Sequence, residues 1–314
     1  MPVFHDSFYA MGTRLDLVIP EIRPEEGRRC ADEIRSEVTR LERKLSRFDK
    51  ASSLSTLNRE AGARSVTVDE EMTHILRLCL SYSESTEGAF DITMSPLCTF
   101  WKERATQIHS SPPTSREIAA VKEATGIKKL EIDTENRTVR FHHPDLEIDL
   151  GGFGKGYALE RVGEILERNG KKNAFVCFGD SAVLGCGRHP HGTHWEVGVK
   201  HLFDRTRSVR SFRLSNQSLS TSGTTPNNIK SAVSWYSHII SPKSGKPVVG
   251  YRTVSVVSPS ALDAEVLSTA LTAIPLEERD GISHVFEDLR AVEFVYSDSR
   301  EPVLSWSAGL NQNH

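Results

Sequence analysis

Residues 149–162, DLGGFGKGYALERV, restrict the possible folds of this chain more than any other stretch. Four glycines and a lysine stand between a period-two run and an amphipathic helical run. Upstream, KKLEIDTENRTVRFHHPDLEIDL alternates around a polar TENR turn, which predicts a β-hairpin feeding the glycine loop. Downstream, Ala158, Val162, Ile165 and Leu166 recur at helical spacing until Asn169-Gly170 stops them. The glycines let backbone N–H groups approach an anion. The helix N-terminus and Lys155 add positive charge. A tight turn that packs a helix on a strand would need the same glycines, so the stretch alone leaves both readings open.

The loop does not fit the common phosphate signatures. In a Walker loop the residue after Gly154-Lys155 would be Ser or Thr, and it is Gly156; the upstream glycine position holds Asp149. A dinucleotide fingerprint through Gly152 and Gly154 would need glycine where Tyr157 stands.

Residues 3–19 form two short strands around AMGT. A helix covers about 24–46, with Pro24 in its first turn and an apolar stripe from Ala31 to Leu45. SRFDKASSLSTLN, 46–58, is a polar loop, and a second helix covers about 69–84 until Gly88 breaks the run. Residues 105–115 are a polar connector, followed by a short helix closed by Gly126. NAFVCFGDSAVLGCG and HWEVGVKH read as strands, SVRSFRLSNQSLSTSG and SHIISPKSGKP as strand-and-turn units, TVSVVS as a strand and AEVLSTALTAI as a helix. Strands and helices come in clumps, which predicts an α+β fold with largely antiparallel pairing.

Composition excludes several classes. The 314 residues carry a net charge of -3, with no basic surplus for nucleic acid or anionic membrane. No apolar run approaches the roughly 18 residues of a membrane span. The N-terminus lacks the pattern of a signal peptide and an early lipid-attachment cysteine, so the expected location is the cytoplasm. Five cysteines without paired spacing predict free thiols. His189, His191, His194 and His201 cluster, but no Cys or acid joins them at zinc-ligand spacing.

AMGT, GAFDITMSPL, DLGGFGKGYALERV, LSTSG, HIISPKSGKP and EVLSTAL occur in this order over about residues 8–275. Together they resemble the FAD:protein FMN transferase family, the ApbE-like flavin transferases. The resemblance implies a T-fold-like core and one domain, with room for two subdomains around an FAD cleft. It implies magnesium-dependent transfer of FMN from FAD to a Thr or Ser hydroxyl of an acceptor protein, with release of AMP. FAD is then the substrate, Mg2+ the metal, and a protein carrying a flavinylation motif the partner.

Residue by residue, the resemblance puts Met11 against the flavin cofactor, with Phe48 where members often place a tyrosine. Ala89, Phe90 and Asp91 would line the adenosine part. Gly151, Lys155 and Tyr157 would contact FAD. Thr221, Ser222 and Gly223 would lie near the pyrophosphate, with Ile240 also in the FAD site. His238 would be the catalytic histidine. The Gly154 carbonyl, Glu265 and Thr269 would hold the metal; Glu265 and Thr269 are four apart and share a helix face. Asp263, about 200° around the helix from Glu265, could substitute only if the helix began later.

The chain departs from the family pattern at Ser241, where members have aspartate in HIIDP, at Glu265, where they have aspartate, and at Phe178, in place of a glycine of GGD. An FAD pyrophosphatase giving FMN and AMP, or a non-catalytic flavin-binding protein, are the alternative expectations.

Overall fold

The computed structural model describes residues 2–106, 112–224, 237–297 and 300–310. In chain order the strands are β1 (Val3–Ala10), β2 (Thr13–Pro20), β3 (Val66–Thr67), β4 (Leu130–Asp133), β5 (Thr138–Phe141), β6 (Ala174–Phe178) and β7 (Ala182–Cys186). They continue as β8 (Trp195–Lys200), β9 (Ser208–Leu214), β10 (Gln217–Gly223), β11 (Tyr251–Ser258), β12 (Arg290–Tyr296) and β13 (Pro302–Ala308). The helices are α1 (Pro24–Leu45), α2 (Ser53–Glu60), α3 (Glu70–Ser85), α4 (Ser95–Thr106), α5 (Ser115–Lys122), α6 (Gly154–Arg168), α7 (Ala261–Ala273) and α8 (Arg279–Ser283).

The fold is α+β. An 8-stranded sheet runs β1-β2-β6-β7-β10-β11-β12-β13, every neighbouring pair antiparallel. A small sheet β3-β5-β4 and the hairpin β8-β9 flank it. The β1–β2 turn has Met11 at φ 49° and Gly12 at φ 73°, the geometry of a two-residue type I′ hairpin. Met11 lacks glycine's freedom in that region. Its N–H is held by Glu42 Oε1 at 2.7 Å.

Helix α1 begins at Pro24 and buries Ile34, Val38, Leu41 and Leu45 on one stripe. Glu25 and Glu26 sit in its first turn and Arg43 and Lys44 in its last, each matched to the dipole. Helix α7 is the central helix. It is buried on nearly all sides and packs on β10, β11 and α6. The contact with α6 is close: a Cβ at Gly156 would lie 2.7 Å from Glu265 Cβ and 2.9 Å from the Ala261 carbonyl oxygen. Gly156 is therefore a packing glycine, which answers part of the question raised by the loop.

Several local readings need correction. Residues 46–58 are not wholly a loop, because α2 occupies 53–60. The Ser52 hydroxyl accepts from the Ser55 N–H at 2.9 Å, and Leu54 and Leu57 bury one face. Short caps of this kind carry little periodicity. The hairpin before the glycine loop ends at Phe141, and residues 146–150 reach the loop without joining a sheet. The connector at 105–115 lies partly outside the described residues, and its first residues complete α4. Around Ile240 only an isolated bridge to Pro247 forms.

Candidate functional site

Two cavities meet at the glycine loop. The first, about 450 Å³, is lined by the 89–98 segment, the loop, the end of β10, residues 238–242 and one face of α7. The second, about 410 Å³, lies between the β1–β2 turn, the end of α1 and the loop. Asp149, Gly151 and Lys155 line both, so the two form one cleft around the loop.

The sequence candidates fall on this cleft with one exception. Ala89, Phe90, Asp91, Gly151, Lys155, Thr221, Ser222, Gly223, His238, Ile240, Glu265 and Thr269 line the first cavity. Met11, Phe48 and Gly154 line the second, along with Gly151 and Lys155. Tyr157 lines neither. Its ring is buried and stacked on Phe153, with centroids 5.6 Å apart.

The α7 wall is polar. Glu265 is only 3% exposed. One carboxylate oxygen takes the Lys155 ammonium and the other accepts from the Ser220 hydroxyl at 2.7 Å. Ser220 and Ser222 share a face of β10, because alternate residues of a strand do. The Ser222 hydroxyl lies 2.8 Å from Ser268 Oγ and 3.3 Å from Thr269 Oγ1. The loop runs close above: a Cβ at Gly152 would be 3.3 Å from the Thr269 hydroxyl oxygen. Thr221 bonds across the ladder to Ser255 at 2.8 Å.

Asp263, the possible alternative to Glu265, is engaged elsewhere. Helix α7 starts at Ala261, with the Ser260 hydroxyl accepting from the Asp263 N–H at 3.0 Å. Its carboxylate takes the Tyr82 hydroxyl at 2.5 Å, away from the cleft.

On the opposite wall, Asp91 is an internal anchor as much as a lining group. Its oxygens accept from the Thr93 N–H at 2.7 Å, the Thr93 hydroxyl at 2.6 Å and the Ile127 N–H at 3.2 Å. Burial raises its carboxyl above the usual range, and the Thr93 and Ile127 donors oppose that. Burial also pushes the Cys98 thiol up to about 11, so it faces the cleft protonated and is a poor nucleophile. His238 exposes surface to the cleft, yet the protein packed around it disfavours the imidazolium, and Lys155 adds repulsion. Both lower its pKa below the ordinary histidine value.

Sequence reasoning missed some cleft residues. The Arg47 guanidinium lies 4.7 Å from the centre of the Phe48 ring, and its Nε is 3.1 Å from an Asp149 carboxylate oxygen. Arg47 also donates to the Ser95 hydroxyl at 2.7 Å. Ser220 and Ser268, buried behind the cleft wall rather than lining it, were legible in principle: Ser220 is two residues before Ser222, and Ser268 three after Glu265 on the helix. No local signal marked Arg47.

The departures from the family pattern have different consequences. Phe178 is fully buried in the core at the end of β6, so that change is absorbed by packing. Ser241 closes a turn, taking Gly245 N–H on its carbonyl at 2.8 Å. Glu265 is the departure within the cleft. His189 lies edge-on to Trp195 at 5.1 Å, and His201 edge-on to Tyr296 at 5.1 Å. No cluster of three or more His, Cys, Asp or Glu able to hold a metal occurs among the described residues. No helix there is long and apolar enough to cross a membrane.

Comparison with known proteins gives consistent results. The sequence profile of the ApbE family matches residues 11–292. The FAD:protein FMN transferase of Klebsiella pneumoniae (strain 342) is 30% identical over 241 residues, 76% of this chain and 69% of the relative. That of Escherichia coli (strain K12) is 28% identical over 272 residues, 85% of this chain and 77% of the relative. The crystal structure of the ApbE protein of Thermotoga maritima superposes with a TM-score of 0.82 at 26% identity, covering 97% of each chain. The flavin transferase ApbE of Vibrio cholerae superposes at 0.80 with 25% identity, also covering 97% of each.

Proposed function

The chain belongs to the ApbE family, and on that premise we propose that it moves FMN from FAD to a Thr or Ser hydroxyl of an acceptor protein, releasing AMP. The observation that carries this reading is the cleft around Lys155. It gathers motifs scattered from Met11 to Thr269 at one glycine loop and one helix face. The names of the relatives, FAD:protein FMN transferase, support the same chemistry.

FAD would lie along both cavities with its pyrophosphate at the loop. Phe48, 81% exposed at the cleft rim, offers an aromatic face to a planar ring, with Arg47 behind it. At the loop, the Gly151 N–H is held by Asp149 and those of Phe153 and Gly154 by the Leu150 carbonyl, so the positive end of α6 and Lys155 are what favour the pyrophosphate's negative charge.

The site fits a divalent cation. Glu265, Thr269 and Ser222 present only oxygen, the donor set that hard cations take. The buried Glu265 carboxylate is the negative group of this wall; it carries the Lys155 ammonium, whose place a cation would have to take. Gly154 lines the neighbouring cavity across Lys155, and its carbonyl would complete the set. Magnesium bound there would neutralise pyrophosphate charge and favour the departure of AMP.

The transfer itself balances simply. The acceptor oxygen forms a bond to the FMN phosphorus, the bond from that phosphorus to the AMP oxygen breaks, and the hydroxyl proton passes to a base. His238 is the candidate base, since its lowered pKa keeps the imidazole neutral and able to accept. Mass spectrometry of candidate acceptors after incubation with this protein, FAD and Mg2+ tests the reading. An FMN adduct on a Thr or Ser supports it. Rapid AMP release with no acceptor present, and no adduct with one, would assign a pyrophosphatase instead. FAD binding without either product would assign a flavin-binding protein.

A further inference from the structure

Lys155 lines both cavities, and its ammonium is spent inside the protein, on Glu265. The paired side chains are 21% and 4% exposed. Ser220 satisfies the second Glu265 oxygen at 2.7 Å. The carboxylate therefore has its charge balanced and both oxygens engaged before any metal arrives. A carboxylate this buried needs such compensation.

A divalent cation ligated by Glu265 would have to take the ammonium's place. Two positive groups on one buried carboxylate would stand about 4 Å apart, where repulsion in a poorly solvated site is strong. Lys155 sits in the first turn of α6, directly after the glycine loop, so a released ammonium remains in the cleft. There it meets an anion bound at the start of α6.

We infer that Lys155 is the internal counter-cation of the metal-free site: it holds Glu265 until a divalent cation displaces it, and then passes to the bound anion. The inference rests on the reading of Glu265 as a metal ligand. Lys155 is in this sense a positioning residue as well as an anion contact. Its exchange makes metal and FAD favour each other's binding, and such coupling is reciprocal. The longer glutamate suits the role, because its extra methylene lets a carboxylate on α7 reach the lysine of α6.

Calorimetric titration of the full chain with Mg2+ or Mn2+, without FAD, tests the exchange. Lys155→Met removes the competitor and leaves the carboxylate uncompensated, so the metal should bind about tenfold tighter or more than in the wild type. Mg2+ should also raise the thermal midpoint of the variant more than that of the wild type. Adding FAD should tighten metal binding by a larger factor in the wild type than in Lys155→Met. Should Lys155→Met fail to fold, Lys155→Gln keeps a donor for Glu265 without the charge and carries the same expectation. Equal or weaker metal binding in the lysine variants, with binding lost in Glu265→Gln, overturns the exchange and leaves Glu265 a ligand. Metal binding absent from the wild type and the lysine variants, or undiminished in Glu265→Gln, overturns both.

Discussion

Gly156→Ala should destabilise this protein even though alanine is the better helix former. In a helix interior the exchange gains up to about 1 kcal/mol, and less in a first turn, where Gly156 sits. Against that gain stands the crossing of α6 and α7. The new methyl carbon would lie 2.7 Å from Glu265 Cβ, 2.9 Å from the Ala261 carbonyl oxygen and 3.0 Å from Leu262 Cα. Carbon atoms pack at about 3.5–4.0 Å, so the helices must part by about 0.8 Å or more. The obstructing atoms are backbone and Cβ, which cannot swing aside. Overpacking of this kind costs about 1–3 kcal/mol, for a net loss of about 1–2 kcal/mol. Because the displaced residue is Glu265, metal-dependent turnover should fall as well. Urea unfolding read as a shift of the midpoint at constant slope measures the stability change. Gly163→Ala, on the same helix, is the internal control. Its nearest neighbour would be Leu184 Cδ2 at 3.5 Å, an ordinary contact, so it should stabilise by about 0.5–1 kcal/mol. A Gly156→Ala protein as stable as the Gly163→Ala protein would refute the packing role of Gly156.

His238→Ala should slow FMN transfer by about 10²–10⁴-fold while FAD affinity, read by flavin fluorescence, changes far less. The pH–rate profile gives the sign of the histidine's perturbation. A base works when deprotonated, and burial followed by Lys155 lowers the His238 pKa, so the acid limb of kcat/KM should fall below the ordinary value of about 6.5. An acid limb above that value would show that another group is the base. Glu265→Ala should abolish most magnesium-dependent turnover, whereas Asp263→Ala should leave turnover in place and lower stability by about 1 kcal/mol, because it removes the half-buried hydrogen bond to Tyr82. Paired rate and urea measurements separate the two, and the reverse pattern would move the metal ligand to Asp263.

Much of this protein was legible in the sequence because the signals are local. The periodicity of Ile34, Val38 and Leu41 fixes α1, and Asn169-Gly170 ends α6, since helix propensity and capping act within a few residues. The clumped order of strands and helices sufficed for an α+β assignment. The order of the motifs pointed to the family, and most of the named residues do line one cleft. What the sequence left open depends on contacts between distant segments. That Gly156 serves a helix crossing shows only once α7 is seen against it. That Asp263 is engaged by Tyr82 while Glu265 lines the cleft depends on where α7 begins and on a residue far away in the chain. The family resemblance puts Tyr157 at FAD, but helix rotation turns its ring into the core, against Phe153. The pairing of Lys155 with Glu265 joins residues 110 apart, and no local pattern encodes it. Charge compensation in a buried site is set by which side chains the tertiary fold brings within reach of one another, and that is fixed only when both helices are packed.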